Sequence, residues 1–392
     1  MKNEIVLKES FEKLKNYVES AEFKGWDPYD GLNSKLFNSI PFLNKNRLAR
    51  LIWIQAFKRN PINFRNVTIV EKDYNPKGLG LFLTGYCNMY LSDPSKKEYL
   101  DKINFLASKI LELKSEGYSG ACWGYNFDWQ ARAFFQPKST PTVVATTFIA
   151  SALLDAYKIT GDSKYLETAI SSASFILKDL NRTYDKKGNF SFSYSPLDKT
   201  QVFNASLLGV KLLCLVYEHT NNKELLEEAR KAVSYVCDFQ QENGAWAYGT
   251  LPYHQWIDNF HTGYNLECIY LYQKISGDSQ FSDNISKGLK YYLDTFFTKE
   301  GISKYYNNSV YPIDIHAPAQ LVVTLSRLEV LQENKDLINR VLGWTINNMQ
   351  SEKGYFYYQK KKFFSSKIPY IRWAQAWMFY AFSYYFKEIE NE

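Results

Sequence analysis

The sequence predicts an all-α fold: an (α/α)6 toroid, in which six helical hairpins form an inner and an outer ring over residues 1–392 as a single domain. Three observations carry this expectation. First, a Tyr, a short polar turn and an amphipathic run recur together, as YKITGDSKYLETA from Tyr157, YEHTNNKELLEEA from Tyr217 and YQKISGDSQFSDNI from Tyr272. Tyr90, followed by LSDPSKKEYL, begins an earlier copy. Such a period is the mark of stacked helical units. Second, the helices on the two sides of each turn differ. TVVATTFIASALLDAY before the turn is small and apolar nearly all round, as a helix buried on every side must be. KELLEEARKAVSYVCDFQ after it keeps Leu225, Leu226, Ala229, Val233 and Val236 on one face and charge on the other. Third, the last stretch, YIRWAQAWMFYAFSYYF from Tyr370, is again apolar on nearly every side. That suits a helix closing an inner ring, whereas an open solenoid needs a polar cap at its end.

The elements follow in order. Residues 1–60 supply N-terminal helices that complete the outer ring, with 9–20 and 47–57 as candidates for the sixth outer helix. Inner helices are expected near 78–90, 142–157, 204–218, 261–273, 316–331 and 370–386. Outer helices are expected near 95–114, 163–180, 222–241, 279–297 and 334–350. A second repeat marks the links from outer to inner helices. Gly120, Gly188, Gly244, Gly301 and Gly354 each precede an aromatic stretch and lie 68, 56, 57 and 53 residues apart. Each such link is read as a short extended loop.

Composition narrows the classes of function. The formal charge of +6 is spread along the chain, and the one basic run, Lys360–Lys362, follows a glycine turn, so no nucleic-acid partner is implied. The charged start MKNEIVLKESFEKL has no apolar leader segment, and no apolar run is read as a membrane span. Five scattered cysteines form no metal-type pair and are expected as reduced, packed thiols in a cytoplasmic protein. Motifs for phosphate binding, HExxH zinc sites and the GxSxG elbow are absent, so no cofactor and no metal are expected. Aromatic content is 17%, rich in Tyr, which suits sugar faces, although an AT-rich coding sequence also raises it.

Three stretches make the chain resemble a known superfamily: CWGYNFDWQARAFFQPKSTPTVVATTFIASAL, WIDNFHTGYNLECIY and YPIDIHAPAQ. They resemble the six-hairpin glycosidase-like toroids. Within them the likeness is to proteins encoded with bacterial capsule, O-antigen and exopolysaccharide genes. The resemblance covers most of residues 75–390. It implies a glycan or glycolipid-linked oligosaccharide as partner, and leaves hydrolase, lyase and epimerase chemistry open.

In such a ring, the loops entering the inner helices line one mouth, where the helix N-termini also point. ACWGYNFDWQAR is the loop entering the second inner helix. There Trp123 and Trp129 can stack on sugar, Arg132 can hold hydroxyls or a carboxylate, and Asp128 can move a proton. The alternative is loop-on-loop packing with an Asp128–Arg132 ion pair. Asp198, Gln201 and Asn204 precede the third inner helix. The fourth entry carries His254, Trp256, Asp258, Asn259, His261 and Tyr264, and the fifth Asp314, His316 and Gln320. The sixth carries Tyr370, Arg372 and Trp373. Three of the four histidines fall in these entries, His219 being the exception. Asp258 and Asp314 lie just before His261 and His316, a spacing at which an acid can orient an imidazole. The alternative is that each Asp caps a helix and each His fills a polar gap.

The expected function is a carbohydrate-active enzyme of surface-polysaccharide metabolism. In one mechanism Arg132 or Arg372 neutralises a uronate carboxylate while His261, His316 or Tyr264 moves a proton, giving epimerisation or β-elimination. In the other, two of Asp128, Asp258 and Asp314 act as the acid and base of a glycoside hydrolase. The rival is a glycan-binding or polysaccharide-assembly protein that uses the same aromatic cleft without catalysis.

Overall fold

A computed structural model describes residues 2–131 and 135–390. Four helices come first: α1 (Lys2–Ser20), α2 (Lys35–Asn38), α3 (Pro41–Lys45) and α4 (Arg47–Arg59). Five hairpins then pair an inner helix with an outer one. They are α5 (Pro76–Ser92) with α6 (Lys97–Glu112), α7 (Val143–Thr160) with α8 (Ser163–Lys178), and α9 (Phe203–Thr220) with α10 (Lys223–Cys237). After them come α11 (Asn259–Ser276) with α12 (Ser282–Phe296), and α13 (His316–Arg327) with α14 (Lys335–Met349). A π-helical turn, Ile371–Ala376, leads into the last inner helix, α15 (Trp377–Glu390).

The inner helices touch in the order α5, α7, α9, α11, α13, α15, and α15 returns to α5, so the ring is closed. The recurring polar turn has a plain physical content. The carbonyl of Tyr157 accepts the N–H of Gly161, which ends α7 at φ +71°, and Asp162 then caps α8 through its side chain. Asn221 and Asn222 do the same after Tyr217. A left-handed residue followed by a capping side chain reverses the chain in the fewest residues, so the motif recurs wherever inner turns to outer.

α1 is the sixth outer helix. It packs against α14 and α15, and Ser10 Oγ donates to Gln350 Oε1 at 2.7 Å. Gly354 shows the same placement. It sits at φ +93° with its α-carbon against the backbone of Lys13, where any Cβ would overlap the carbonyl oxygen. Gly301 lies in the same way against Arg340 of α14, so α1 occupies the position of the next outer helix.

The remaining N-terminal helices do not extend the outer ring. Residues 21–75, with α2–α4, form a strap at the mouth. Trp26 Nε1 donates to the Val70 carbonyl at 2.9 Å, buried Arg65 pairs with Asp30 at 2.7 Å, and Ile371 N donates to Trp26 O at 2.9 Å. The apolar face of α4 covers strap residues and the Trp129 loop rather than an inner helix. α7 also corrects an expectation: it is long and apolar enough to cross a membrane by length and composition alone, and 72% of that window is buried inside the ring. All five cysteines are buried free thiols.

Candidate active site at the toroid mouth

The aromatic loops deliver their tyrosines to one place. Tyr125, Tyr194, Tyr248 and Tyr305, from four successive links, line a cavity of about 310 Å³ at the mouth. Tyr29 and Lys58 of the strap form its cover, where Lys58 Nζ donates to Tyr29 Oη at 2.6 Å. Trp129, Trp256 and Trp373 add flat indole faces, and Trp256 stacks on Tyr248 at 4.2 Å and 15°.

The acid–base groups sit on α11 and α13. Asp258 is the N-cap of α11, and its Oδ1 accepts the backbone N–H of His261 at 2.9 Å. Its Oδ2 lies 2.7 Å from His261 Nδ1, which assigns the ring proton to Nδ1 and leaves the Nε2 lone pair for the cavity. Tyr264, one turn on, places its hydroxyl 3.0 Å from His316 Nε2. Phe260 stands between the imidazoles, 4.3 Å from His261 and 4.2 Å from His316 by ring centroids. Burial, helped by Lys77, His261 and Arg372, holds the His316 imidazole well below the usual histidine range, so it is neutral. Burial also pushes the Tyr264 phenol up, so its hydroxyl stays protonated.

No Asp or Glu lines the cavity among the described residues. The carboxylates stand one layer behind, each holding a residue that does line it. Asp258 holds His261. Asp27 holds Arg372 through two hydrogen bonds, 2.6 and 2.8 Å. Asp314 accepts from Trp373 Nε1 at 2.9 Å.

No family model matches the chain, and no curated protein matches it. Solved structures do. Cellobiose 2-epimerase from Bacillus thermoamylovorans B4167 superposes with a TM-score of 0.61 at 14% identity, over 81% of this chain and 88% of that one. The Lin0763 protein from Listeria innocua gives 0.61 at 18% identity, over 81% and 87%. An unsaturated glucuronyl hydrolase specific for heparin gives 0.60 at 13% identity, over 82% and 89%. The chain has the six-hairpin glycosidase-like fold. At these identities the likeness is one of fold.

Within this six-hairpin toroid, the predicted residues divide. His261, His316, Tyr264, Trp129, Trp256, Trp373 and Arg372 meet at the cavity. His254 lies in an adjoining groove with Trp256 and Trp129, its ring against Tyr248 at 5.1 Å. Of the third entry only Asn204 reaches the wall. Arg132 lies outside the described residues.

Several residues do other work. Trp123 is fully buried and donates to the Ile110 carbonyl at 2.8 Å, so it is core and no sugar platform. Asp128 accepts the Lys138 N–H at 2.6 Å and pins its own hairpin, away from the cavity. Asn259 accepts from Tyr292 of the outer ring at 3.1 Å, and Gln320 donates to Thr324 at 3.0 Å within α13. Tyr370 packs beside Tyr358 beneath the Arg65 guanidinium. Arg372 is committed to Asp27 and is not a free carboxylate receptor.

Asp314 does not orient the His316 ring as Asp258 does that of His261. It accepts the His316 backbone N–H at 3.0 Å and Gln359 Nε2 at 2.6 Å. Burial pushes its carboxyl up to about 6 despite those donors. A folded-state value above the unfolded one of about 3.9 means that the contribution to stability is full below that value and is lost as pH rises to about 6. Urea unfolding between roughly pH 4 and 6 is therefore expected to show wild type losing stability relative to Asp314→Asn. An unchanged difference across that window would count against it.

The strap residues Asp27, Tyr29 and Lys58 carry no motif or repeat that marks them as part of a site. Lys77 did leave a signal: it is the only charged residue in α5, an otherwise apolar inner helix.

Proposed function

We propose that the cavity is the active site of a carbohydrate-active enzyme that moves protons on a sugar. The supporting observation is a wall with two imidazoles and, among the described residues, no carboxylate. A glycoside hydrolase of the usual kind needs two carboxyl groups facing the scissile bond, and here they stand behind the wall. His261 Nε2 takes a proton from a carbon next to a carbonyl or carboxylate of the sugar. The Asp258 carboxylate balances the charge the ring gains. The Tyr264 hydroxyl, hydrogen-bonded to neutral His316, is the second proton carrier. Return of a proton to the opposite face of that carbon inverts it, as in an epimerase. Loss of a β-substituent with its electron pair completes an elimination, as in a lyase. The tyrosines and Trp129, Trp256 and Trp373 supply stacking faces and hydroxyl partners for the rings. The setting in bacterial surface-polysaccharide metabolism, with a glycan or glycolipid-linked oligosaccharide as substrate, rests on the resemblance of the three motif stretches.

The test is incubation in D2O with neutral and acidic mono- and oligosaccharides, read by NMR. Loss of one sugar C–H signal, absent with His261→Ala, supports the reading. Cleavage of a glycosidic bond with every C–H retained would replace it with hydrolysis. Binding without exchange or cleavage across the panel would favour the glycan-binding alternative.

A further inference from the structure

The charged groups of the cavity wall are all basic: Lys58, Lys77 and Arg372. Arg372 is neutralised by Asp27, and Lys58 is engaged with Tyr29. Elsewhere inside the ring the buried Lys211 is paired with Glu267, with Arg327 3.7 Å away. Lys77 is different. It is 3% exposed, yet its ammonium makes no hydrogen bond and no ion pair among the described residues. Around it are the rings of Phe148, Trp377 and Tyr264, at 4.3, 5.2 and 5.7 Å from Nζ to the centroids. It is also the second residue of α5, where the helix dipole adds potential of the same sign. A lysine placed so, at the wall of a cavity, lacks a counter-ion that a ligand can bring.

We propose that Lys77 is the anion subsite of this cavity and takes the carboxylate of an acidic sugar, a uronate. The inference rests on the cavity being a sugar site. One unpaired cation among aromatic rings matches a single negative charge, while a phosphate dianion would keep much of its desolvation cost. A carboxylate held there also acidifies the neighbouring C–H that His261 is placed to take.

The geometry has a proton-linked consequence. Burial holds the Lys77 amine well below its ordinary range; Arg372 and Lys211 add to this, and Asp27 opposes it. The other titratable groups facing it are His316, itself neutral, and the protonated Tyr264. A bound carboxylate favours the charged ammonium and raises the Lys77 pKa again, so at any pH where the free amine is part deprotonated binding takes up protons and tightens as pH falls.

Calorimetric titration with D-glucuronate, D-glucose and D-glucose 6-phosphate tests this. D-Glucuronate is expected to bind at least about tenfold tighter than D-glucose, as one charge-assisted hydrogen bond allows. Repeated at rising pH in buffers of differing ionisation enthalpy, D-glucuronate binding should come to take up protons and D-glucose binding none. Lys77→Met should erase both differences and keep D-glucose binding. The wild-type measurements alone decide the matter if that variant does not fold. Equal binding of D-glucose and D-glucuronate, or no proton uptake at any pH up to the ordinary lysine range, overturns the inference and leaves the sugar site standing. Preference for the phosphate overturns the carboxylate assignment. Failure of all three probes to bind removes the sugar-site reading, and the inference with it.

Discussion

Arg372→Met is expected to cost about 3–5 kcal/mol of stability, the usual result of leaving one member of a buried ion pair alone. Both partners are buried: Arg372 is 5% and Asp27 4% exposed by side chain. Without the guanidinium, the Asp27 carboxylate keeps, among the described residues, only the hydrogen bond from the Tyr29 backbone N–H, 3.1 Å from Oδ1, against its desolvation. For a chain of this size the melting temperature should fall by on the order of 4–6 °C. The loss should also be local. Asp27 belongs to the strap, so residues 21–75 should become the first site of proteolysis. The double variant Asp27→Asn/Arg372→Met should recover part of the loss, because no lone charge is left. An Arg372 that served as a free receptor for a substrate carboxylate would behave in the opposite way, with melting unchanged and ligand affinity reduced. Thermal melts of the two single variants and the double variant separate these cases.

The ring was legible in the sequence because its repeats are set by local chemistry. Gly161–Asp162, Asn221–Asn222 and Gly277–Asp278 are left-handed caps followed by N-caps, and local chemistry recurs visibly. Burial on all sides likewise marks inner helices by composition alone. Boundaries erred where tertiary geometry intervened. The fifth inner helix ends at Arg327, ahead of the expected 331, because Glu329 turns left-handed at φ +59°. The sixth starts with a π-helical turn, a variation often seen at functional sites, and that turn carries Arg372 and Trp373 to the cavity.

The site was half legible, for a geometric reason. Standing at the start of an inner helix places a residue near the mouth but leaves its rotation about the helix open, at 100° per residue. His261 and Tyr264, three apart, share the cavity face, while Asn259 looks to the outer ring. Asp258 and Asp314 precede histidines at nearly the same spacing. Asp258 caps a helix and meets its histidine's ring, whereas Asp314 lies on a short strand paired with Gln359 and meets only the backbone. The strap has no repeat to betray it, so Asp27, Tyr29 and Lys58 left no sign.

His261→Ala is expected to lower turnover by about 10²–10⁴-fold, the usual loss for a positioned acid or base. The fold should hardly notice. The His261 side chain is 19% exposed, and the cap of α11 survives because Asp258 Oδ1 bonds the backbone N–H of position 261, whatever its side chain. Asp258→Asn should keep that cap too while removing the charge behind the imidazole, so turnover should fall with little change in melting. His316→Ala is not the matching experiment. Its ring is buried between Phe260 and Trp377, at 4.2 and 4.1 Å, so truncation opens a hole and costs about 2–5 kcal/mol by analogy with other buried rings and side chains. Tyr264→Phe is cleaner. It removes one oxygen, keeps the ring against Phe148, and takes from His316 Nε2 its hydrogen-bond partner. If the hydroxyl carries the second proton, Tyr264→Phe should abolish product formation, while isotope exchange at the carbon facing His261 continues. If His261 alone does both steps, exchange and product formation should fall together or not at all. Measuring the two rates separately on His261→Ala and Tyr264→Phe distinguishes a one-base from a two-carrier cavity. Full turnover in either variant would exclude that group from proton transfer.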